Sequence, residues 1–443
     1  MGFLDACAEA REWIEKRDNL LVVHHYDADG LSGGALAAGA LERMGKAYLR
    51  LCYRKISGKE IEEIIGRKEK SVLFVDFGSG AIDDLEKIGK DVVVIDHHPA
   101  RESGILQANP MLFGIDGATE MSGASAAYFV FGVRELAPMG IVGAVGDMQA
   151  PLSGWNKRML KEGEEAGAAR HYNDLSMFGR LSRPLTQFLV FSIDPYFPGL
   201  TGNEDAVRGF YESLGIGLRD GERWRTYLDL SDEEKMLLRS ALASYLHEKG
   251  RGWAAKSLIG EVYELLTYPK GTEMRDASEF STLLNACGRH NRPDVGVDTL
   301  LKRPGAYEEA RGLLELHRRM LREGIEYASR NVVDMGAFHF VDARGVIDDG
   351  IIGVVAGMLY GSISMDKPVL AISLDSEGNI KGSTRGTRAL ISRGLNLGKA
   401  LNSACEGIGI GGGHDIAAGA TFGAEHLNTF LKRFGEEIQG QLG

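Results

Sequence analysis

The sequence predicts an α/β protein with three domains. They are a doubly wound parallel-sheet domain, a mostly helical inserted domain and a smaller α/β C-terminal domain. Two observations predict this fold class: short β-branched apolar runs alternate with helical patterns near the N-terminus, and similar runs return after a long amphipathic stretch. The 443 residues suffice for all three. We place the domains at residues 1–160, 161–320 and 321–443.

The first apolar run, Leu20–Val23, stops at His24 and His25, and Asp27 and Asp29 follow it closely. The run is short and ends in β-branched residues, so it predicts a buried parallel strand rather than a helix. Open α/β sheets bind their ligands beyond the carboxyl ends of such strands. The alternative is that the two aspartates only cap the following helix. Taken alone, the stretch does not decide between the two.

Three later apolar runs also end in acidic or imidazole side chains, and we expect all three to be strands. With the groups that follow them, they are Ser71–Val75 before Asp76, Asp91–Ile95 before Asp96, His97 and His98, and Ile141–Gly146 before Asp147. A single aspartate after a strand is usually a cap. Four such ends along one sheet edge, with a His-His pair included, instead favour a metal site.

These side chains outnumber the ligands of one divalent ion and suit two close ions that share a carboxylate. Imidazole together with carboxylate favours manganese over calcium, and a magnesium site would normally be all oxygen. We therefore expect two divalent ions, Mn²⁺ first and Mg²⁺ second. Such a pair lowers the pKa of bound water and stabilises an in-line displacement at phosphorus. The predicted reaction is phosphoester hydrolysis.

The middle region contains helical patterns and no ligand cluster. Ser231 begins a capping-box pattern, and Tyr307–Arg330 has the spacing of one or two amphipathic helices. The segment Asp194–Gly199 is a rigid turn, either a structural corner or a partner-facing loop. We favour the structural corner.

In the C-terminal region a basic strand, Ile380–Arg388, precedes the glycine-rich segment Gly407–Asp415. Glycines let backbone N–H groups approach a phosphate closely, and a helix predicted after Ile416 would add its positive end. The alternative is a tight turn with a solvated charged face. Beside a metal site we favour phosphate binding.

Composition limits the class of protein. The net charge of −11 argues against a protein that coats duplex DNA, although it is compatible with a nucleic-acid enzyme that has a local basic groove. No apolar run reaches the roughly 18 residues of a membrane span, and the N-terminal residues lack the apolar core of a signal peptide. The four cysteines are scattered, as in a reducing compartment. We expect a cytoplasmic protein without a membrane partner.

The motifs resemble, in order, those of the DHH phosphoesterase superfamily. They are His25–Gly30, Asp76 after its strand, Asp96–His98, Gly146–Asp147 and, in the associated C-terminal domain, Gly411–His414. Within the superfamily, three further segments are similar to archaeal RecJ-like proteins, including the GINS-associated nuclease. These segments are Asn109–Gly114, Val142–Gln149 and Asp194–Leu200.

The resemblance implies a role for each matching residue. Asp76 would bridge both metals, Asp27 would help to hold one ion, and Asp29, His97 and Asp147 would hold the other. His25 is the preferred histidine of the first motif and His24 an extra one, Asp96 would orient His97, and His98 would contact the scissile phosphate or the leaving oxygen. The residues expected to position the nucleic-acid backbone are Ser383, Arg385, Gly411, Gly412, Gly413 and His414.

The resemblance also implies a manganese-dependent exonuclease on single-stranded DNA or RNA, acting in replication or repair. The inserted domain would bind a partner, such as GINS-type replication proteins. One alternative is an oligoribonuclease or nucleotide phosphoesterase on very short substrates, against which the long insertion counts. Another is a catalytically silent replisome scaffold, against which the complete ligand set counts.

Overall fold

The computed structural model describes residues 2–192, 195–256, 258–361, 363–375 and 377–443. Two compact units make up the chain, residues 1–313 and residues 314–443. Both are built from helices and strands, which confirms the predicted α/β class. Among the described residues, no helix is long and apolar enough to cross a membrane.

The first unit begins with a five-stranded, fully parallel sheet in the order β2-β1-β3-β4-β5. The strands are β1 (Asn19–His25), β2 (Ala47–Tyr53), β3 (Ser71–Val75), β4 (Asp91–Ile95) and β5 (Leu106–Ala108). Three of the four apolar runs that we predicted as strands are β1, β3 and β4. These strands are buried on both faces, as expected for a parallel sheet covered by helices. Their carboxyl ends therefore lie along one edge.

Seven helices belong to this part of the chain. They are α1 (Phe3–Glu15), α2 (Ala28–Arg43), α3 (Gly58–Gly66), α4 (Ile82–Leu85), α5 (Gly123–Phe131), α6 (Ala137–Gly146) and α7 (Gly154–Glu165). The strand predicted over Ile141–Gly146 is wrong, because these residues form the second half of α6. The helix begins with Ala137 and Pro138, and proline is favoured in the first turn of a helix. Hydrophobic periodicity could not reveal it, since α6 is apolar on nearly every side.

The middle of the chain is largely helical, as predicted. Its strands are β6 (Ala169–Leu175), β7 (Arg219–Asp220), β8 (Arg223–Trp224) and β9 (Ile259–Leu265). Its helices are α8 (Leu185–Val190), α9 (Glu204–Ser213), α10 (Asp232–Glu248), α11 (Gly252–Ala255), α12 (Ala277–Arg289), α13 (Pro293–Leu300) and α14 (Ala306–Asn331). The capping box at Ser231 is present. The domain boundaries at residues 160 and 320 stay a prediction.

The predicted turn at Asp194–Gly199 is described in part, because Asp194 lies outside the described residues. Phe197 is fully buried in the core of this region. The Ser192 hydroxyl donates to the carbonyl of Pro195 at 2.7 Å. These contacts favour the structural-corner interpretation.

The second unit contains a six-stranded mixed sheet in the order β10-β11-β12-β13-β15-β14. Its strands are β10 (Val333–Asp334), β11 (His339–Asp342), β12 (Val369–Leu374), β13 (Ile380–Arg385), β14 (Gly409–Gly413) and β15 (Ala417–Phe422). Its helices are α15 (Ile352–Met358), α16 (Arg388–Ser392), α17 (Leu397–Cys405) and α18 (Leu427–Leu442). The helix predicted after Ile416 is wrong. Ala417–Phe422 alternates between buried and less buried positions, as a strand does.

Candidate metal centre

Six of the predicted ligands meet beyond the carboxyl ends of β1, β3 and β4. Within each of two groups the ligand atoms lie within 4.8 Å of one another. The groups are His25, Asp27 and Asp76, and Asp29, His97 and Asp147. The Oδ1 atom of Asp76 is also 3.2 Å from Nε2 of His97. Asp76 therefore lies between the two groups.

Asp76 follows β3 directly and has φ +56, in the left-handed region that non-glycine residues rarely occupy. This backbone turn ends the strand, and the amide N–H of Asp76 donates to the Ile95 carbonyl at 2.8 Å. The carboxylate is buried, and neither of its oxygens accepts a hydrogen bond of good geometry from the described residues. Such orphaned buried oxygens suit a cation.

The side chain of Asp29, a residue of α2, lies at the N-terminal end of α5. Its carboxylate accepts hydrogen bonds from the Ser122 hydroxyl at 2.9 Å, the Gly123 amide at 2.6 Å and the Ala124 amide at 3.1 Å. The positive end of the helix suits this charge. On the other side, a Cβ at Gly143 of α6 would lie 2.3 Å from Oδ1 of Asp29. The glycine therefore lets α6 approach the carboxylate.

His97 is buried, and the carbonyl of Gly117 fixes its tautomer. Nδ1 lies 2.7 Å from that oxygen, which can only accept, so Nδ1 carries the proton. Nε2 is thereby left as an acceptor facing Asp76 and Asp29, at 3.2 and 3.8 Å. A metal-binding histidine usually has this kind of backbone support.

The two histidines at the end of β1 have different surroundings. His24 is buried against Gly34 of α2, and burial lowers its pKa to about 4, so its ring is a neutral core group. The Nδ1 atom of His25 lies 2.9 Å from Asp27 and 3.8 Å from Asp76. His25 is therefore the histidine that belongs to the cluster, and the ring of Phe77 stacks on it.

Asp96 organises the turn after β4. It accepts hydrogen bonds from the amides of Ser79 and His97, at 2.9 and 2.8 Å. Its Oδ1 atom is 2.8 Å from Nδ1 of His98, whose side chain is half exposed. Asp96 thus contacts the His98 ring directly and reaches His97 through the backbone. Burial opposes the charge of Asp96, but the bond to His98 lowers the pKa of Asp96 overall.

The electrostatics of the cluster also suit divalent ions. Burial and the neighbouring Asp29 raise the pKa of Asp76 well above its usual range. The same two causes raise the pKa of Asp147 to about 6. Burial opposes protonation of His97, yet the nearby Asp76 carboxylate raises the pKa of His97 well above its usual range. Carboxylates crowded in this way are stabilised as anions by a cation.

Some supporting residues were missed by the sequence analysis. Gln149 donates to Asp147 and to the Gly117 carbonyl, at 2.7 and 2.9 Å, and so joins Asp147 to the loop that holds His97. Asn156 of α7 donates to Gln149 at 2.6 Å. Gln149 lies only two residues after the predicted ligand Asp147, and this proximity is the feature of the sequence that could have indicated its role. Asn156 had no such signal.

The predicted substrate residues lie together in the second unit. Ser383 of β13 pairs with Gly419 of β15, and Gly419 pairs in turn with Gly412 of β14. These three residues therefore lie side by side on neighbouring strands. Arg385 and Ser383 are two residues apart on the same face, and both lie close to Gly353 of α15. Gly411 and Gly413 flank Gly412 on β14, and the exposed His414 follows this strand.

Comparisons with known proteins identify the family. The chain matches the family models described as DHH family, N-terminal domain, over residues 19–141, DHH-CID domain over residues 177–257, and DHHA1 domain over residues 337–440. An uncharacterized protein of Methanocaldococcus jannaschii is 31% identical over 95% of this chain and 93% of its own length. The chain belongs to the DHH phosphoesterase superfamily, in its RecJ-like group, and this is a family of phosphodiesterases and exonucleases.

Characterised relatives are more distant. The single-stranded-DNA-specific exonuclease RecJ of Bacillus subtilis is 21% identical over 100% of this chain, which spans 48% of that protein. The structure of RecJ from Thermus thermophilus in complex with Mn²⁺ has a TM-score of 0.61 at 20% identity, covering 99% of this chain and 55% of that one. The structure of CDC45 from Entamoeba histolytica has a TM-score of 0.65 at 12% identity, covering 98% and 99%. These structures share the fold.

Proposed function

We propose that this protein is a divalent-metal-dependent exonuclease that hydrolyses phosphodiester bonds of single-stranded DNA or RNA. The observation that carries the proposal is the pair of ligand groups on either side of Asp76, whose buried oxygens find no hydrogen-bond partner of good geometry in the described part of the chain. A nuclease of the same family from Bacillus subtilis is named as specific for single-stranded DNA. The proposal also assigns this activity to DNA replication or repair.

We assign one ion to His25, Asp27 and Asp76, and the other to Asp29, His97, Asp147 and the shared Asp76. Mn²⁺ is the first choice because each group combines imidazole with carboxylates, and Mg²⁺ is the second. Two such ions would activate water and offset the charge that develops on the phosphate oxygens. The RecJ structure with bound Mn²⁺ supports this choice.

Of the remaining residues of the centre, His98 acts on the substrate and Asp96 acts through His98. His98 is half exposed beside the cluster, and Asp96 holds its Nδ1. With Nδ1 bound in this way, the ring presents Nε2 to a phosphate or a leaving oxygen, and the raised pKa of His98, due first to the bond with Asp96, favours the charged form. Asp96 is then a positioning residue.

The C-terminal unit binds the nucleic-acid backbone in this proposal. Arg385 supplies a permanent positive charge, and the glycines of β14 leave backbone N–H groups within reach of phosphates. Ser383 is only 8% exposed, so its role is to shape the site beside Arg385. His414 follows at the exposed end of β14. The inserted domain, which matches the DHH-CID model, is the proposed partner-binding part, with GINS-type replication proteins as candidates.

A replisome scaffold without catalysis is the second candidate, and the likeness to the CDC45 fold is the observation that favours it. Against it stands the ligand set, since all six acidic and imidazole groups are present and meet in two groups that the contact between Asp76 and His97 joins. A scaffold that no longer binds metal has no need to keep Asp76 buried in a left-handed backbone conformation.

The test uses single-stranded DNA and RNA of several lengths, labelled at either end and incubated with Mn²⁺ or Mg²⁺. We expect wild type to shorten long strands progressively. Asp76→Ala should lose about 1000-fold or more of this activity, since metal-ion catalysis contributes several kcal/mol, while its circular dichroism stays unchanged. The product ladders give the polarity and the sugar preference.

Three results would contradict the proposal. Activity confined to the shortest oligonucleotides would favour the alternative hydrolase, and no metal-dependent activity on any strand would favour the scaffold. Equal activity in the Asp76→Ala protein would show that the hydrolysis comes from a contaminant or needs no bridging carboxylate.

A further inference from the structure

Helix α12 lies in none of the three segments that match family models, and yet it contacts the first metal-binding loop. The Oδ1 atom of Asn285 accepts a hydrogen bond from the backbone N–H of Ala28 at 3.0 Å, across 257 residues of sequence. Ala28 stands between Asp27 and Asp29. The bond therefore acts on the residue that joins two proposed ligands, one for each ion.

The same face of α12 makes two further close contacts. A Cβ at Gly288 would lie 1.9 Å from the carbonyl oxygen of Tyr26, so the helix backbone lies directly against the loop. The Cβ of Ser281 is 3.2 Å from the position of a Cβ on Gly146, the residue before Asp147. Positions 281, 285 and 288 share one side of a helix because they are four and three residues apart. That side faces both loops.

The other end of α12 is fixed to the inserted region. Asp276 caps the helix by accepting from the amides of Ser278 and Glu279, and its carboxylate lies 2.8 Å from the buried guanidinium of Arg180. The Glu279 carboxylate also accepts from the amide of Leu181 at 3.0 Å. A helix held in this way is a rigid support for the loops at its far end.

We propose that Asn285 is a positioning residue for the metal centre. Its amide oxygen fixes Ala28 and thereby holds Asp27 and Asp29 at the separation that two ions require. Without an acceptor at this position, the Ala28 N–H loses its partner and the loop gains freedom. The ligands are then less well arranged for metal binding. This inference rests on the metal site in the proposed function.

The experiment compares two substitutions in the full chain that keep the branched shape and the number of non-hydrogen atoms of the asparagine side chain. Asn285→Asp keeps the acceptor oxygen, whereas Asn285→Leu removes it. Mn²⁺ affinity is measured without nucleic acid, from the electron paramagnetic resonance signal of free Mn²⁺. We expect Asn285→Leu to bind Mn²⁺ about 10-fold more weakly or worse, the usual effect of losing such support. Asn285→Asp should bind at least as well as wild type.

Thr282→Ala is the matched control, because the Thr282 hydroxyl donates to Ser278 of the same helix. It should leave Mn²⁺ affinity unchanged, and the thermal midpoint of each variant shows whether it is folded. Wild-type affinity in Asn285→Leu, or an equal loss in both Asn285 variants, would overturn the inference. Wild-type protein that binds Mn²⁺ but digests no strand would contradict only the proposed exonuclease.

Discussion

At the scale of the residue, Asp76 shows how the fold prepares a charged site. A left-handed backbone and a desolvated carboxylate each cost free energy. Two glycines allow this arrangement because they have no side chain. A Cβ at Gly123 would lie 2.4 Å from Oδ1 of Asp76, and a Cβ at Gly143 would lie 2.3 Å from Oδ1 of Asp29. Both carboxylates are thus enclosed by helices that can approach only because they have no side chain there. A bound cation would offset the cost.

The buried Glu279 of α12 leads to a prediction of how the free energy of unfolding depends on pH. Burial and the charge of Asp276 raise its pKa from 4.5 to about 8. Between these values the folded protein binds one proton more than the unfolded chain, so the free energy of unfolding falls as pH rises, by about 1.4 kcal/mol per unit. Glu279→Gln removes this proton exchange. Its stability relative to wild type should therefore increase from pH 5 to pH 8 in urea unfolding.

The exposed Glu222 provides the control for this prediction. Glu222→Gln should differ from wild type by the same amount at pH 5 and at pH 8. If the stability curves of Glu279→Gln and wild type run parallel across that range, then Glu279 is ionised in the folded protein and the prediction is wrong.

At the scale of the element, sequence patterns predicted the wrong type of structure for α6 and β15. A strand was predicted where α6 lies, and a helix where β15 lies. The runs before Asp76 and Asp96 are strands because they are short, β-branched and bounded by polar residues. The run before Asp147 looks similar but continues a buried helix, where apolar residues on all sides hide the helical period. Asp147 still reaches the cluster, because the helix ends at the same edge of the sheet.

Close packing of α6 leads to a test at this scale. In Gly143→Ala, the added methyl would lie 2.3 Å from Oδ1 of Asp29 and 2.5 Å from the Ala124 side chain. The helix must move away, which should lower the free energy of unfolding by about 1–3 kcal/mol, as overpacking does. The shift of Asp29 should also weaken Mn²⁺ binding. Chemical unfolding and a Mn²⁺ titration measure the two effects.

Gly209 of α9 is the matched site, because a Cβ there would meet no described atom within 4 Å. Gly209→Ala should raise stability by about 0.5–1 kcal/mol through the helix preference of alanine, without changing Mn²⁺ affinity. A Gly143→Ala protein with wild-type stability and wild-type affinity would show that α6 can move without disturbing Asp29.

At the scale of the whole molecule, the sequence predicted the α/β class and the cluster of ligands, because strand ends and their side chains are local features. It could not predict the contacts that cross the chain. The bond from Ala28 to Asn285 joins residues 257 positions apart, and the Gly117 carbonyl that fixes His97 is a backbone group with no side-chain signature. The supporting contacts are thus assembled by tertiary packing, whereas the proposed ligands belong to local sequence motifs.

The last prediction tests whether metal binding and strand binding belong to different units of the chain. If the first unit holds the metals and the second binds the strand, Arg385→Ala should raise KM without changing metal affinity. Loss of one charge-assisted hydrogen bond to phosphate predicts an increase of about 10-fold or more. Arg344→Ala, which removes an equal charge from an arginine paired with Asp342 in the same unit, is the control. Steady-state kinetics on long and short strands, with a Mn²⁺ titration, measure both quantities. Unchanged KM on both substrates would remove Arg385 from the strand-binding site, and a parallel loss of Mn²⁺ affinity would mean that the two units do not act separately.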